Sequence, residues 1–408
     1  MFSPDNVLDS GNLPNPLADA QLIDDIAHPE SLIYLSLGET WLPPANGLVQ
    51  ALSHIPEYAH GYTLSPYGLP ALRRTLREYI VRTHNLPERD NFDVAVSQVG
   101  TRGAMANFAQ LLLTKWDSEP TALVPTPGWD YAGVLTPLGY HVKEYPLLAE
   151  RGWQPNPDEI EKDMKSGTLL VINAQHNPTG ANWSPQILAR LMSSAIERGC
   201  AILIDDAYYA IHDPDVSPGN ALQILLDLSH ATSAPPWLAV RTLGKQFRCN
   251  GWGIGALTGH PDTLAELAYI AHQRSYGSGL PLQHAMASWL ENPAADLYVN
   301  QLCAHYAEMR KHACHHLIQH LGFPIDSVHS GQCTSYMRFQ VPQRFIVNND
   351  EDNYRKCCLK AGVLPGRGSM TRIPLHGEAV YVRIHLGHSA DIIDLAFKRL
   401  GLMGLGWD

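Results

Sequence analysis

Three stretches of the 408-residue chain set chemically capable side chains directly after apolar runs. Asn177-Pro178-Thr179-Gly180 follows Leu169-Leu170-Val171-Ile172. Taken alone it is a good turn, since Pro pre-sets φ and Gly tolerates the bend. Ile204-Asp205-Asp206-Ala207-Tyr208-Tyr209 puts a carboxylate at the end of a second run, with a phenol about one helical turn beyond. A buried Asp there needs a cationic or donor partner, and a protonated ring nitrogen would serve. Capping of the following segment is its structural alternative. Arg241-Thr242-Leu243-Gly244-Lys245 closes a third run. Lysine is seldom buried, and an amine whose site lowers its pKa forms an imine with an aldehyde. A surface lysine is the plain alternative.

The elements that must position these groups read as an α/β fold. Ala122-Leu123-Val124-Pro125, Leu169–Ile172, Ala201–Ile204 and Trp237-Leu238-Ala239-Val240 have the continuous apolar character of strands buried on both faces. Ser184 to Arg198 carries Ile187, Leu188, Leu191, Met192 and Ile196 near helical spacing after a Ser-Pro start, which predicts a crossover helix. Open sheets of this kind bind ligands beyond the carboxyl ends of their strands, where Asn177, Asp205 and Lys245 fall. The first 50 or so residues are rich in turns, and from about residue 286 a long helical pattern gives way to separate strand-like pieces at Tyr336–Phe339 and Tyr381–Ile384. The expected organisation is a large domain at 50–285, with 1–49 and 286–408 forming a smaller α+β domain and an N-terminal arm.

Composition narrows the partners. A net charge of −11 without basic clusters argues against nucleic acid and for small molecules. No run of about 18 apolar residues occurs and no basic-then-apolar leader opens the sequence, so a cytoplasmic protein off the membrane is expected. Seven cysteines without CxxC spacing predict reduced thiols. Histidine pairs such as His315-His316 lack the i, i+4 spacing that aligns two ligands on one helical face, so no metal site is expected among the 20 histidines.

The order and spacing of these signals resemble the fold type I pyridoxal-phosphate (PLP) enzymes, class I/II aminotransferase group, over most of the chain. Further matches are Leu37-Gly38-Glu39, Tyr62 through Gly68-Leu69-Pro70-Ala71-Leu72-Arg73, Gly100-Thr101-Arg102-Gly103-Ala104 opening a helix, and Pro127-Gly128-Trp129 after a strand. Ala361-Gly362-Val363-Leu364-Pro365-Gly366 and Val382-Arg383-Ile384 complete them. The resemblance implies a mainly parallel central sheet with helices on both faces and PLP held on Lys245 as a Schiff base. Lys245 would also move the proton at the substrate α-carbon, and Asp205 would keep the ring nitrogen protonated. Asn177 and Tyr208 would bond the ring hydroxyl oxygen, and Trp129 would stack on the ring. Gly100, Thr101, Arg102 and Thr242 would hold the phosphate at a helix N-terminus. Arg383, with Gly38, Glu39 and Asn177 around the substrate, would grip an α-carboxylate in its planar fork. A homodimer with shared active sites is implied, Tyr62 or Tyr67 and Ser278 being the candidates to cross over.

Two positions depart from the family pattern. Gly253 stands where a phosphate-binding Arg is usual, leaving Arg102 or Arg248 as replacements, with Arg102 favoured because it already belongs to the phosphate turn. Gly244 stands where a serine usually precedes the lysine. An aminotransferase for an L-amino acid is the first expectation. Elimination, cyclisation or oxidation of a side-chain-functionalised amino acid, guanidine-bearing ones included, is the alternative, with Glu39, Asp130 and Asp206 as an acidic wall. A non-catalytic effector-binding module would bring a basic DNA-binding segment, and none precedes the motifs.

Overall fold

The apolar runs become adjacent strands because each must bury both faces. In the computed structural model, which describes residues 19, 22–23, 31–37, 43–62, 64–87, 91–97, 100–229, 234–274, 279–370 and 379–408, twelve strands are formed. They are β1 (Ile33–Leu35), β2 (Asp93–Ser97), β3 (Thr121–Thr126), β4 (His141–Pro146), β5 (Thr168–Ile172), β6 (Ala201–Asp205), β7 (Trp237–Thr242), β8 (Gly255–Gly259), β9 (Val328–His329), β10 (Tyr336–Gln340), β11 (Val363–Arg367) and β12 (Tyr381–His385). Seven make one sheet in the order β2-β8-β7-β6-β5-β3-β4, with β8 alone running antiparallel to its neighbours. The crossover helix forms as Pro185–Glu197, and the Ser184 hydroxyl caps it by accepting from the Ile187 N–H at 3.3 Å.

Register then places the chemistry. Asp205 pairs with Val240, so the end of β6 lies beside the turn in which β7 passes into the short helix Gly244–Phe247 carrying Lys245. The turn after β5 is tied outward, because the Gly180 carbonyl accepts from the N–H groups of Gln332 and Cys333 at 2.8 and 2.9 Å. Asn177 is thereby fixed against the second sheet.

That sheet has the order β1-β11-β12-β10-β9, so the N-terminal strand joins C-terminal ones. Met286 and Trp289, and Val299 and Cys303 of the helix Ala294–His315, pack in the core of the large sheet, whereas Tyr306 and Met309 further along that helix belong to the second core. All seven cysteines are free thiols.

Candidate active site

Three strand ends and a helix start converge on one cleft of about 270 Å³, lined by Thr101, Trp129, Asn177, Asp205, Tyr208 and Lys245 among others. Gly100, Arg102, Thr242 and Arg383 line it too. Lys245 points its amine at the Tyr208 ring, with Nζ 5.6 Å from the ring centre. Burial pushes the Asp205 carboxyl up, opposed by bonds from Tyr131 and the Ala207 N–H and by the charge of Lys245. Tyr131 Oη donates to Asp205 Oδ2 at 2.7 Å, and the Ala207 N–H donates to Oδ1 at 3.1 Å.

From Asp205 a chain of bonds crosses the floor. Asn173 Nδ2 donates to the Asp205 carbonyl at 2.7 Å, and Asn173 Oδ1 accepts from the Asn177 N–H at 2.9 Å. Asn177 Oδ1 in turn accepts from Arg383 Nη1 at 3.2 Å. Arg383, only 1% exposed, lies over the Tyr336 ring at 4.2 Å and leaves its Nε without a partner. A buried guanidinium with a spare donor opening on a cleft is built for a carboxylate.

The opposite end suits a phosphate. Gly100 starts the helix Gly100–Leu113, whose first N–H groups have no partner within the helix. Gly100 N–H itself donates to the Gly253 carbonyl at 3.0 Å, which holds the helix start against the loop after Lys245. Thr242 Oγ1 accepts from the Gly244 N–H at 3.2 Å. Arg102 stacks on Trp129 at 4.4 Å and donates to Asp130 at 3.0 Å, so it supplies charge while half exposed.

Both departures have local causes. A β-carbon at Gly244 would stand 2.7 Å from Asn250 Cα and Oδ1, so Asn250 occupies the space a serine would need. Gly253 has φ of +63°, which favours glycine, and a β-carbon there would meet only Gly100 N at 3.9 Å, leaving open space on the phosphate side. Asn250 itself lines the cleft with its Nδ2 unpartnered.

Not every candidate converges. Arg248 does not line the cleft: its backbone turns left-handed at φ 52° to end the helix Gly244–Phe247, and its guanidinium lies 5.7 Å over Tyr306. Asp130 caps the helix Tyr131–Leu135 and pairs with Arg102, while Asp206 is buried 3.4 Å from His84, so neither builds an acidic wall. Gly38, Glu39 and Ser278 lie outside the described residues, although the adjacent Leu37 lines the cleft. Tyr131, Asn173 and Asn250 carry no motif in the sequence; the one signal for Asn173 is its place immediately after the apolar run Leu169–Ile172. Outside the cleft, His312 and His316 do stand at i, i+4, and both ring nitrogens meet Asp394 Oδ1, His316 at 2.6 Å. The adjacent pair His315-His316 drew the eye from that spacing.

An acid to hold a ring nitrogen, an amine at a strand end, a helix start for phosphate and a buried arginine for carboxylate fit PLP, and with this sheet they define a fold type I PLP enzyme. The model of "Aminotransferase class I and II" matches residues 43–400. The chain belongs to that family. It is 27% identical over 394 residues to an LL-diaminopimelate aminotransferase of Desulforudis audaxviator, covering 94% of each chain. It is 27% identical over 237 residues to an aspartate/prephenate aminotransferase of Thermus thermophilus, 56% of this chain and 57% of that one. Among solved structures it resembles Thermus thermophilus aspartate aminotransferase, with TM-score 0.80, 21% identity and 99% of both chains covered. The substrate-bound BacF structure from Bacillus subtilis gives TM-score 0.82, 21% identity and coverage of 100% and 99%. The protein is a PLP-dependent aminotransferase, and these relatives do not favour elimination, cyclisation or oxidation.

Proposed function

We propose that Lys245 carries the cofactor and that the enzyme transfers the α-amino group of an L-amino acid whose carboxylate Arg383 holds. The observation that carries this reading is the bond chain from the backbone carbonyl of Asp205 through Asn173 and Asn177 to Arg383, which fixes the strand end that carries the acid relative to an arginine with a spare donor. Bound there, PLP supplies an aldehyde for the amino group and an electron-accepting ring. Asp205 keeps a proton at the ring nitrogen, supported by the phenol of Tyr131. Trp129 covers the ring face and excludes water. Asn177 and Tyr208 donate toward the ring oxygen, and the first N–H groups of the helix Gly100–Leu113, with Arg102, Thr242 and Asn250, hold the phosphate. Lys245, once released, moves the proton at the α-carbon.

The domain division proposed is a large cofactor-binding part at 50–285 and a small part from 1–49 and 286–408. The active form proposed is a homodimer in the cytoplasm. Tyr58, Tyr62 and Leu64 support the dimer, being exposed at 77, 76 and 97% within one short stretch. Among the described residues no helix is long and apolar enough to cross a membrane. Borohydride reduction and peptide mapping must mark Lys245, and a productive amino acid must yield keto acid one-to-one with cofactor, reversed by added keto acid. Label on another lysine, or net ammonia release without that reversal, refutes the reading.

A further inference from the structure

A second cavity lies beyond the loop that carries Trp129, lined by Pro127, Leu148, Trp153, Arg338, Ser369 and Tyr381 among others. Part of its boundary with the cofactor cleft is a single loop contact. The Met370 N–H donates to the Gly128 carbonyl at 3.1 Å, with Trp129 and Met370 facing the cleft and Pro127 and Ser369 facing the cavity.

Arg338 stands opposite Arg383 in the β10–β12 register and is 3% exposed. Its guanidinium is stacked, 4.9 Å from the centre of Trp153 and 4.4 Å from that of Tyr381. Rings cover faces, not edges. Its edge donors Nε and Nη1 are buried without a hydrogen-bond partner. Burial lowers its pKa to about 10, so it stays charged at neutral pH. Glu351 lines the same cavity and its charge favours the Arg338 cation, yet no hydrogen bond or ion pair joins the two among the described residues, and burial pushes the Glu351 carboxyl up. An unpaired buried guanidinium is among the costliest groups a fold can keep, unless something arrives to pair with it.

We infer that this cavity binds a carboxylate with an apolar body, the carboxylate taken in the fork of Arg338 and the body packed on Trp153, Leu147 and Leu148. The inference rests on the cavity; only its substrate-borne form rests on the amino-acid substrate proposed above. Because the lining is drawn from the ends of β3 and β4 and from β10 and β12, the occupant would pin the two sheets together. A separate small carboxylate, or the far carboxylate of a dicarboxylic amino-acid substrate, would present the same chemistry.

The test uses the PLP-loaded enzyme with hexanoate and phenylacetate, and hexanamide and phenylacetamide as uncharged controls. The expected result is a saturable rise in Tm of ~2–5 °C at 100 times Kd with the acids alone. It must survive in Arg383→Met, which removes carboxylate binding in the cofactor cleft, and vanish in Arg338→Met. Arg338→Lys, which keeps the charge and loses the fork, should weaken binding roughly tenfold and serves if the Met variant does not fold. The second arm compares kcat/KM for glutamate and 2-aminoadipate with norleucine. A fall of about 30-fold or more in the dicarboxylate preference of Arg338→Met assigns the cavity to the substrate's far end; an unchanged preference with the hexanoate shift intact assigns it to a separate molecule. The inference is overturned if neither arm responds to Arg338, or if the shift is lost in Arg383→Met and kept in Arg338→Met.

Discussion

Replacing Tyr131 by Phe removes one buried oxygen behind Asp205 and tests how Asp205 is kept ionised. The phenol donates to Asp205 Oδ2 at 2.7 Å inside the protein, with Tyr131 1% and Asp205 5% exposed. A hydrogen bond to a charged group contributes about 1.5–3 kcal/mol. At about 1.4 kcal/mol per unit, its loss raises the Asp205 pKa by about 1–2 units, on top of the rise burial already causes. The direction follows from the form stabilised: the phenol favours the carboxylate, so without it protonation occurs at higher pH. Activity that requires the ionised acid is lost as pH falls through that pKa, so the acid limb of the kcat/KM profile should move up by about 1–2 units. At a pH within that limb the rate should drop roughly 10–100-fold. The assay is steady-state kinetics from pH 5 to 9, with the cofactor's visible absorbance titrated in parallel. Tyr131→Phe with an unmoved acid limb and absorbance titration would refute the reasoning, since the bond would then contribute nothing to the acid's charge.

Other substitutions separate the remaining roles. Arg383→Lys keeps the charge but loses the fork bonded to Asn177, so KM for amino acids should rise by roughly 30-fold with a much smaller change in kcat, read from initial rates. Arg102→Gln should raise the PLP dissociation constant by about tenfold, measured by equilibrium dialysis, and Gly253→Arg in that background should recover part of it, because open space adjoins Gly253 although its positive φ costs about 1 kcal/mol. Burial lifts the Asp206 carboxyl to about 7, with Arg241 opposing and Asp205 adding to the rise. A folded-state pKa above the unfolded one means its contribution to stability is full below pH ~4 and is lost as pH rises through 7. Asp206→Asn should therefore melt higher than the parent at pH 8, by a margin that shrinks toward pH 5.

Legibility followed locality. Asp205 and Lys245 end strands whose burial is written in unbroken apolar runs, and in such a sheet strand ends mark the ligand crevice. Tyr131 reaches Asp205 across 74 positions, and nothing near it in sequence says so. Asn250 became visible only once the loop after Lys245 had folded back over Gly244. Arg248 misled for a related reason: proximity to the lysine in sequence does not survive a left-handed residue, which sends the side chain toward Tyr306. Stacking contacts such as Arg338 between Trp153 and Tyr381 join distant segments and leave no periodic trace.

The bonds running from the Asp205 backbone carbonyl through Asn173 and Asn177 to Arg383 tie the two ends of the cleft together mechanically. A redesign that retunes the grip on the substrate carboxylate will shift the amide of Asn177, and with it the backbone that holds the acid. Double-mutant cycles between Arg383 and Asn173, whose side chains both belong to this chain of bonds, should depart from additivity despite their separation. New side-chain specificity is therefore easier to build on the cleft's outer walls than along its floor, where each change would also move the backbone that carries Asp205.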